Sequence, residues 1–246
     1  MAYSIQLFVS FIFIIQMYLM MVLMAIFFTP LAVFSKTWVF RAIHTYTGWV
    51  CWTADWMLGL RSEIRGEVPT GEILIASKHQ SFLDILMIVH AVPRPKFIMK
   101  KEIIWTPIVG FYAKRMGCVS VDRGKRSVAI KKMVAGVKSG THDPGQLIIF
   151  PQGTRVAAGA TRAYKIGTAV LYQETGQDVV PAATNVGVFW PRHGIYRKPG
   201  LAVVEFLPAI RQGKSIEEFM ALLENTIETH SNRLMKEAGF DALPKG

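Results

Sequence analysis

The distribution of apolar positions divides the chain at about residue 60. No charged side chain precedes Lys36, and residues 5–28 are nearly continuous Ile, Leu, Phe, Met and Val, interrupted by Gln6, Ser10 and Gln16. A helix of about 20 apolar residues is long enough to cross the roughly 30 Å hydrocarbon layer, so this run predicts a membrane-embedded helix. A cleaved signal peptide fits poorly, because no Lys or Arg precedes the run and the run is too long. Residues 37–60 are also apolar but carry Arg41, His44 and Asp55. Trp49, Trp52 and Trp56 recur there at helical spacing, which predicts a helix at the membrane–water interface. Two other arrangements fit. The tryptophans can pack against the domain that follows, or the two helices can form a hairpin that enters one leaflet and returns. Lys36, Arg41, Arg61 and Arg65 follow the apolar run, and the positive-inside rule then places the remainder in the cytoplasm, at the inner membrane.

From Arg61 onward short β-rich runs alternate with helical patterns. Strands are predicted at 72–77, 96–99, 118–121, 146–150, 178–183 and 201–206. Helices are predicted at 82–90, 108–116, 127–139, 163–174 and 215–237. Such alternation predicts a single α/β sandwich with a central mixed sheet flanked by helices. The expected organisation is therefore a membrane-anchoring segment, 1–60, and one α/β domain, 61–246.

Composition sharpens this picture. Of 246 residues 51% are hydrophobic and 18% charged, the profile of an apolar segment joined to an ordinary domain. The net charge of +11 attracts nucleic acid, anionic lipid or acidic small molecules. A nucleic-acid binder would want basic residues and aromatics on an exposed sheet. Here the aromatics concentrate toward the N-terminal half, so no nucleic-acid partner is expected. Two cysteines, Cys51 and Cys118, provide no disulfide framework. Cys118 reads as a small core residue rather than a nucleophile. The histidines show no metal-ligand spacing, so no metal site is expected. The basic stretch 125–138 suits either anionic headgroups or solvent.

Three clusters carry candidate chemistry, each at the end of a predicted strand. The first is Lys78-His79-Gln80-Ser81-Phe82-Leu83-Asp84. Residues five apart on one helix diverge by about 140°, so His79 and Asp84 meet only if the chain bends at Gln80-Ser81. A carboxylate on one imidazole nitrogen would leave the other free as a base. The same residues also read as a capping box, with Asp84 reaching back to Ser81. The second cluster is Asp122-Arg123-Gly124 after the strand at 118–121. The third is Gln152-Gly153-Thr154-Arg155, in which glycine permits close backbone approach and arginine can grip a phosphate.

In this order and spacing the clusters resemble the glycerolipid acyltransferase family that includes bacterial 1-acylglycerol-3-phosphate acyltransferases. Its H-x-x-x-x-D block matches His79 and Asp84. Its Asp-Arg strand end matches Asp122-Arg123, and its Glu-Gly-Thr-Arg block matches Gln152 to Arg155. A Pro after an apolar strand matches Pro181. The resemblance implies that His79 is a general base oriented by Asp84. It implies that Lys101, Arg123 and Arg155 bind the lysolipid phosphate, that Gly153 and Thr154 shape that pocket, and that Pro181 shapes the wall near the acyl site. The acyl group would pass from acyl-CoA or acyl carrier protein to lysophosphatidate without an acyl-enzyme, and no other cofactor is called for. The family has Glu where this chain has Gln152, which keeps the shape and loses the charge. Another acceptor, such as a lyso-ornithine lipid, therefore stays open. So does a non-catalytic module that binds anionic lipid at the membrane.

Overall fold

The structure, a computed structural model, describes residues 3–121, 134–135 and 144–241. Helix α1 (Tyr3–Phe34) and helix α2 (Lys36–Leu58) are separated only by Ser35, whose hydroxyl accepts from Thr37 N at 3.3 Å and caps α2. The chain reverses there, and the helices run antiparallel. Phe28 meets Trp38 near the turn, with ring centroids 6.2 Å apart. Further along, Trp49 Nε1 donates to Gln16 Oε1 at 3.0 Å, and Gln16 Nε2 donates to Thr53 Oγ1 at 3.1 Å. At the open end Gln6 Nε2 donates to the Leu58 and Arg197 carbonyls, at 3.2 and 2.9 Å. Ser10 Oγ accepts from Arg197 N at 3.1 Å. The three polar interruptions of the apolar run are thus the inward contacts that set the hairpin. Tyr3 stacks on Tyr196 and Phe13 meets Trp190 edge-on, so the beginning of α1 and the end of α2 dock on the same domain.

The tryptophans of α2 divide between the hairpin and the surface. Their rings form one run, Trp49 against Trp52 and Trp52 against Trp56, with Trp49 also tied into the hairpin by Gln16. Trp52 and Trp56 are exposed and stack on each other. Helix α2 is packed between α1 and the domain, burying Val39, Val50, Ala54 and Leu58.

Gly59, at φ 66°, ends α2 in the left-handed conformation that glycine adopts without strain. Strand β1 (Leu60–Arg65) begins at the next residue. The sequence reading missed it, because its Leu-Arg-Ser-Glu-Ile-Arg pattern belongs to a half-exposed edge rather than a buried strand. The other elements follow the predicted pattern. They are β2 (Ile73–Ser77), α3 (Leu83–Ala91), β3 (Pro95–Lys100), a 3₁₀ turn (Lys101–Trp105), α4 (Pro107–Met116), β4 (Val119–Val121) and β5 (Gln146–Ile149). Then come α5 (Gly167–Thr175), β6 (Val179–Thr184), a short 3₁₀ turn (Val186–Val188), β7 (Gly200–Phe206) and α6 (Ile216–Glu237). The helix expected at 127–139 lies outside the described residues except Val134 and Ala135. Helix α5 starts four residues later than expected, because Lys165 N is held by the Pro151 carbonyl at 2.9 Å.

The strands form one mixed sheet, ordered β1-β7-β6-β2-β5-β3-β4, in which only the β6–β7 pair is antiparallel. Alternation along β2 sends Ile75 to one face and Leu74 and Ala76 to the other. The first face is covered by α3 and the hairpin, through Leu83, Met87, Val50, Leu58 and Phe13. The second is covered by α5 and α6, through Leu171, Phe219, Leu223 and Ile227. The α/β sandwich with flanking helices is as the sequence predicts.

Candidate active site

Adjacent parallel strands end at the same edge, so whatever follows them is brought together. Strands β2 and β5 are such neighbours, with Ala76 opposite Ile149. His79 follows Ala76 by three residues and Gln152 follows Ile149 by three. The register alone therefore juxtaposes the first and third clusters.

His79 leaves the strand before α3 begins. Its Nδ1 lies 2.9 Å from Asp84 Oδ1. Asp84, in the first turn of α3, is completely buried. Its Oδ2 accepts from the backbone N–H groups of Gln80 and Ser81, both at 2.7 Å. One carboxylate oxygen thus meets the imidazole and the other makes the half of the box that reaches back to Ser81, while Ser81 Oγ accepts from Leu83 N rather than Asp84 N. The cap-like bonds fix the carboxylate, and the remaining oxygen holds the imidazole. A carboxylate offers only acceptors, so in the neutral imidazole Nδ1 carries the proton and Nε2 keeps its lone pair. The His79 side chain is 12% exposed. Its ring stacks on Phe150 at 4.0 Å between centroids, and its carbonyl accepts from Val156 N at 2.7 Å. The loop after β5 therefore grips His79 from two sides.

That loop turns at Gly153, where φ is +68° and an added Cβ would run into Lys165 Nζ. The positive φ favours glycine there, whereas the Lys165 chain end could move aside. Thr154 and Arg155 are half-buried. Arg155 Nη1 donates to the Arg192 carbonyl at 3.5 Å, and Arg192 Nη1 returns a bond to the Arg155 carbonyl at 3.2 Å. Lys101 is exposed just past β3, one strand further along the same edge. Pro181 lies within β6, opposite Ala76, so it sits in the sheet below the site and not in a loop. Arg123 lies outside the described residues.

Ser81 is fully buried, and its hydroxyl accepts from Leu83 N at 3.2 Å. Burial pushes the Cys118 thiol up to about 11, which keeps it protonated at neutral pH. Neither presents a nucleophile. Lys78, which opens the first cluster, borders the site together with Tyr164, Glu228 and Arg192, and none of the four was given a role from the sequence. Lys78 was legible as a cation at a strand end. Glu228 had no signal, because a glutamate beside an apolar helical stripe ordinarily faces solvent.

Comparison with known proteins follows the same lines. Residues 59–185, just over half the chain, match the acyltransferase family model. The chain is 24% identical over 216 residues to the 1-acyl-sn-glycerol-3-phosphate acyltransferase of Pseudomonas aeruginosa, covering 87% of this chain and 84% of that protein. It is 31% identical over 159 residues to the Limnanthes alba protein of the same name, covering 63% of this chain and 56% of that one. The crystal structure of the 1-acyl-sn-glycerophosphate acyltransferase from Thermotoga maritima superposes with a TM-score of 0.79 at 19% identity, covering 95% of this chain and 99% of that one. The fold is shared throughout, hairpin included.

Proposed function

The chain belongs to the acyltransferase family, and from that premise we propose that it acylates the sn-2 hydroxyl of 1-acyl-glycerol-3-phosphate to give phosphatidate. The donor is a thioester, acyl-CoA or acyl carrier protein. The observation that carries the reading is the His79–Asp84 pair, with Nδ1 engaged and Nε2 available.

In this reading Nε2 takes the proton from the sn-2 hydroxyl as its oxygen attacks the thioester carbonyl. Asp84 steadies the resulting imidazolium. The tetrahedral intermediate collapses, the C–S bond breaks, and the departing sulfur takes its proton from Nε2. Transfer is direct, which the masked Ser81 hydroxyl and the protonated Cys118 thiol support. Arg155, with Arg123 and Lys101, binds the acceptor's phosphate. Gly153 and Thr154 shape that pocket, and Pro181 braces the wall behind it.

The hairpin supports a one-leaflet anchor. Crossing the bilayer would carry the start of α1 away from Arg197 and Tyr196, where it is docked. The apolar side of α1, including Phe8, Ile15, Leu19, Ile26 and Phe27, is exposed. We place it in the inner leaflet of the cytoplasmic membrane, with the domain on the cytoplasmic side where thioester donors are made.

The test is transfer by purified protein in detergent, with labelled acyl-CoA and separately acyl carrier protein, and lysophosphatidate as acceptor. Labelled phosphatidate is the expected product. Label in another lysolipid, such as lyso-ornithine lipid, with none in phosphatidate would replace the acceptor.

A further inference from the structure

Beside His79 lies a polar cluster, buried at Lys78 and Gln152 and half-buried at Glu228 and Tyr164, that the proton transfer does not use. Lys78, only 1% exposed, forms an ion pair with Glu228 Oε2. Glu228 Oε1 accepts from the Tyr164 hydroxyl at 2.9 Å and from Gln152 Nε2 at 3.5 Å. Burial, and next the charge of Glu228, push the Tyr164 phenol far above its ordinary range, so it remains a donor. Gln152 is 1% exposed and also donates to the Arg162 carbonyl at 3.4 Å. Its Oε1 is buried with no partner among the described residues. Glu228 sits on α6, far along the chain from either loop.

One carboxylate thus joins the segment bearing His79, the segment bearing Arg155, and the loop before α5. A buried ammonium needs an opposite charge, and position 152, a neutral amide, cannot supply it. Glutamate at 152 would set a second carboxylate about 3.5 Å from the first, and the like charge would disfavour ionising both. Gln152 and Glu228 are therefore complementary choices.

We propose that Glu228 is the positioning residue of this active site, supplying from the C-terminal helix the negative charge that Gln152 lacks. Through Lys78, Gln152 and Tyr164 it holds the two loops in register. The proposal rests on the reading of His79 as base. It does not make Glu228 touch the reacting atoms.

The experiment compares wild type, Glu228→Gln, Gln152→Glu and the double variant, measuring lysophosphatidate acylation across pH and thermal unfolding in detergent. Glu228→Gln should lower kcat/KM at least tenfold at a temperature where it remains folded. Gln152→Glu should acquire a loss of activity as pH rises. The like charge raises one carboxyl's pKa, so the pair shares a proton at low pH and repels once both ionise. Wild type should lack that limb. The double variant moves the charge back to 152. It should be at least tenfold more active than the product of the single effects predicts, and should lose the new pH limb. Multiplicative single effects would overturn the proposal, as would normal kcat/KM in Glu228→Gln with only a lowered unfolding midpoint. Should Glu228→Gln fail to fold, the pH limb of Gln152→Glu decides alone. If wild type transfers no acyl group, the acylation reading fails separately, and the unfolding midpoints still test the charge pairing: non-additive midpoints support it and additive ones overturn it.

Discussion

Helices α1 and α6 both bury apolar residues on the domain, but their outer faces are opposite in character. Helix α6 buries Phe219, Leu223, Ile227, Leu234 and Met235 and turns Glu217, Glu224 and Lys236 outward. Helix α1 buries Gln6 and Ser10 beside Phe13, Met17 and Ala32, and turns Phe8, Ile15, Leu19 and Ile26 outward. Both pack on the same domain. The difference fits the rule that the medium facing each outer surface, rather than helix-forming tendency, selects which residues stay outside. Water faces α6, and an apolar medium suits α1. Each helix then spends its exceptional residues on function. The inward polar side chains of α1 lock the anchor, and Glu228 at the margin of the α6 stripe reaches the site.

The comparison breaks most decisively on the outer face of α1. Changing Leu19 and Ile26 together to Glu would force two charges into the apolar layer at roughly 2–3 kcal/mol each. Cosedimentation with anionic phospholipid vesicles should fall at least about tenfold, and unchanged binding would remove α1 from the membrane. On α6 the inner face is the sensitive one. Leu223→Ala should cost about 2–5 kcal/mol through lost burial and a residual cavity. Thermal unfolding in detergent should drop accordingly, while vesicle binding by the folded protein stays normal. A sharper contrast comes from Gln6→Leu, an apolar residue placed in an apolar helix. It should still destabilise by about 1–3 kcal/mol, because the Leu58 and Arg197 carbonyls lose their buried donor. A neutral or higher melting temperature would contradict the inward polar lock. The smallest effect belongs to the exposed end of α6, where Arg65 holds the Glu237 carboxyl below the usual carboxylate range. A depressed carboxylate stabilises the fold above its unfolded pKa, and that contribution is lost as pH falls through the folded value. Arg65→Ala should therefore lower the melting temperature slightly at neutral pH and converge with wild type in acid. The exposure of the pair keeps the shift to about a degree or two.

The strands of the sheet's interior were legible because β2, β5 and β6 read as short apolar runs bounded by Gly, Pro or Asp. Strand β1 was not, since an edge strand carrying Arg61, Glu63 and Arg65 shows no such run. The apolar helix was visible from its length, but its direction was not. That depends on Gln6 and Ser10 finding Arg197, some 190 positions away. At the site, the spacing showed only that His79 and Asp84 could meet if the chain bent at Gln80-Ser81, and the pairing itself was implied by the family resemblance. The juxtaposition with Gln152 and Arg155 needed the β2–β5 register. Glu228 stayed hidden because its partners, Lys78 and Gln152, come from two distant strand ends.

The central claim is that His79, held by Asp84, is the base of an acyl transfer. The most direct test is phosphatidate formation by His79→Ala at saturating donor and acceptor, with unfolding measured in parallel. Loss of a positioned general base predicts a fall in kcat of at least about 10²–10⁴-fold with the fold intact. Turnover within a few-fold of wild type would contradict it.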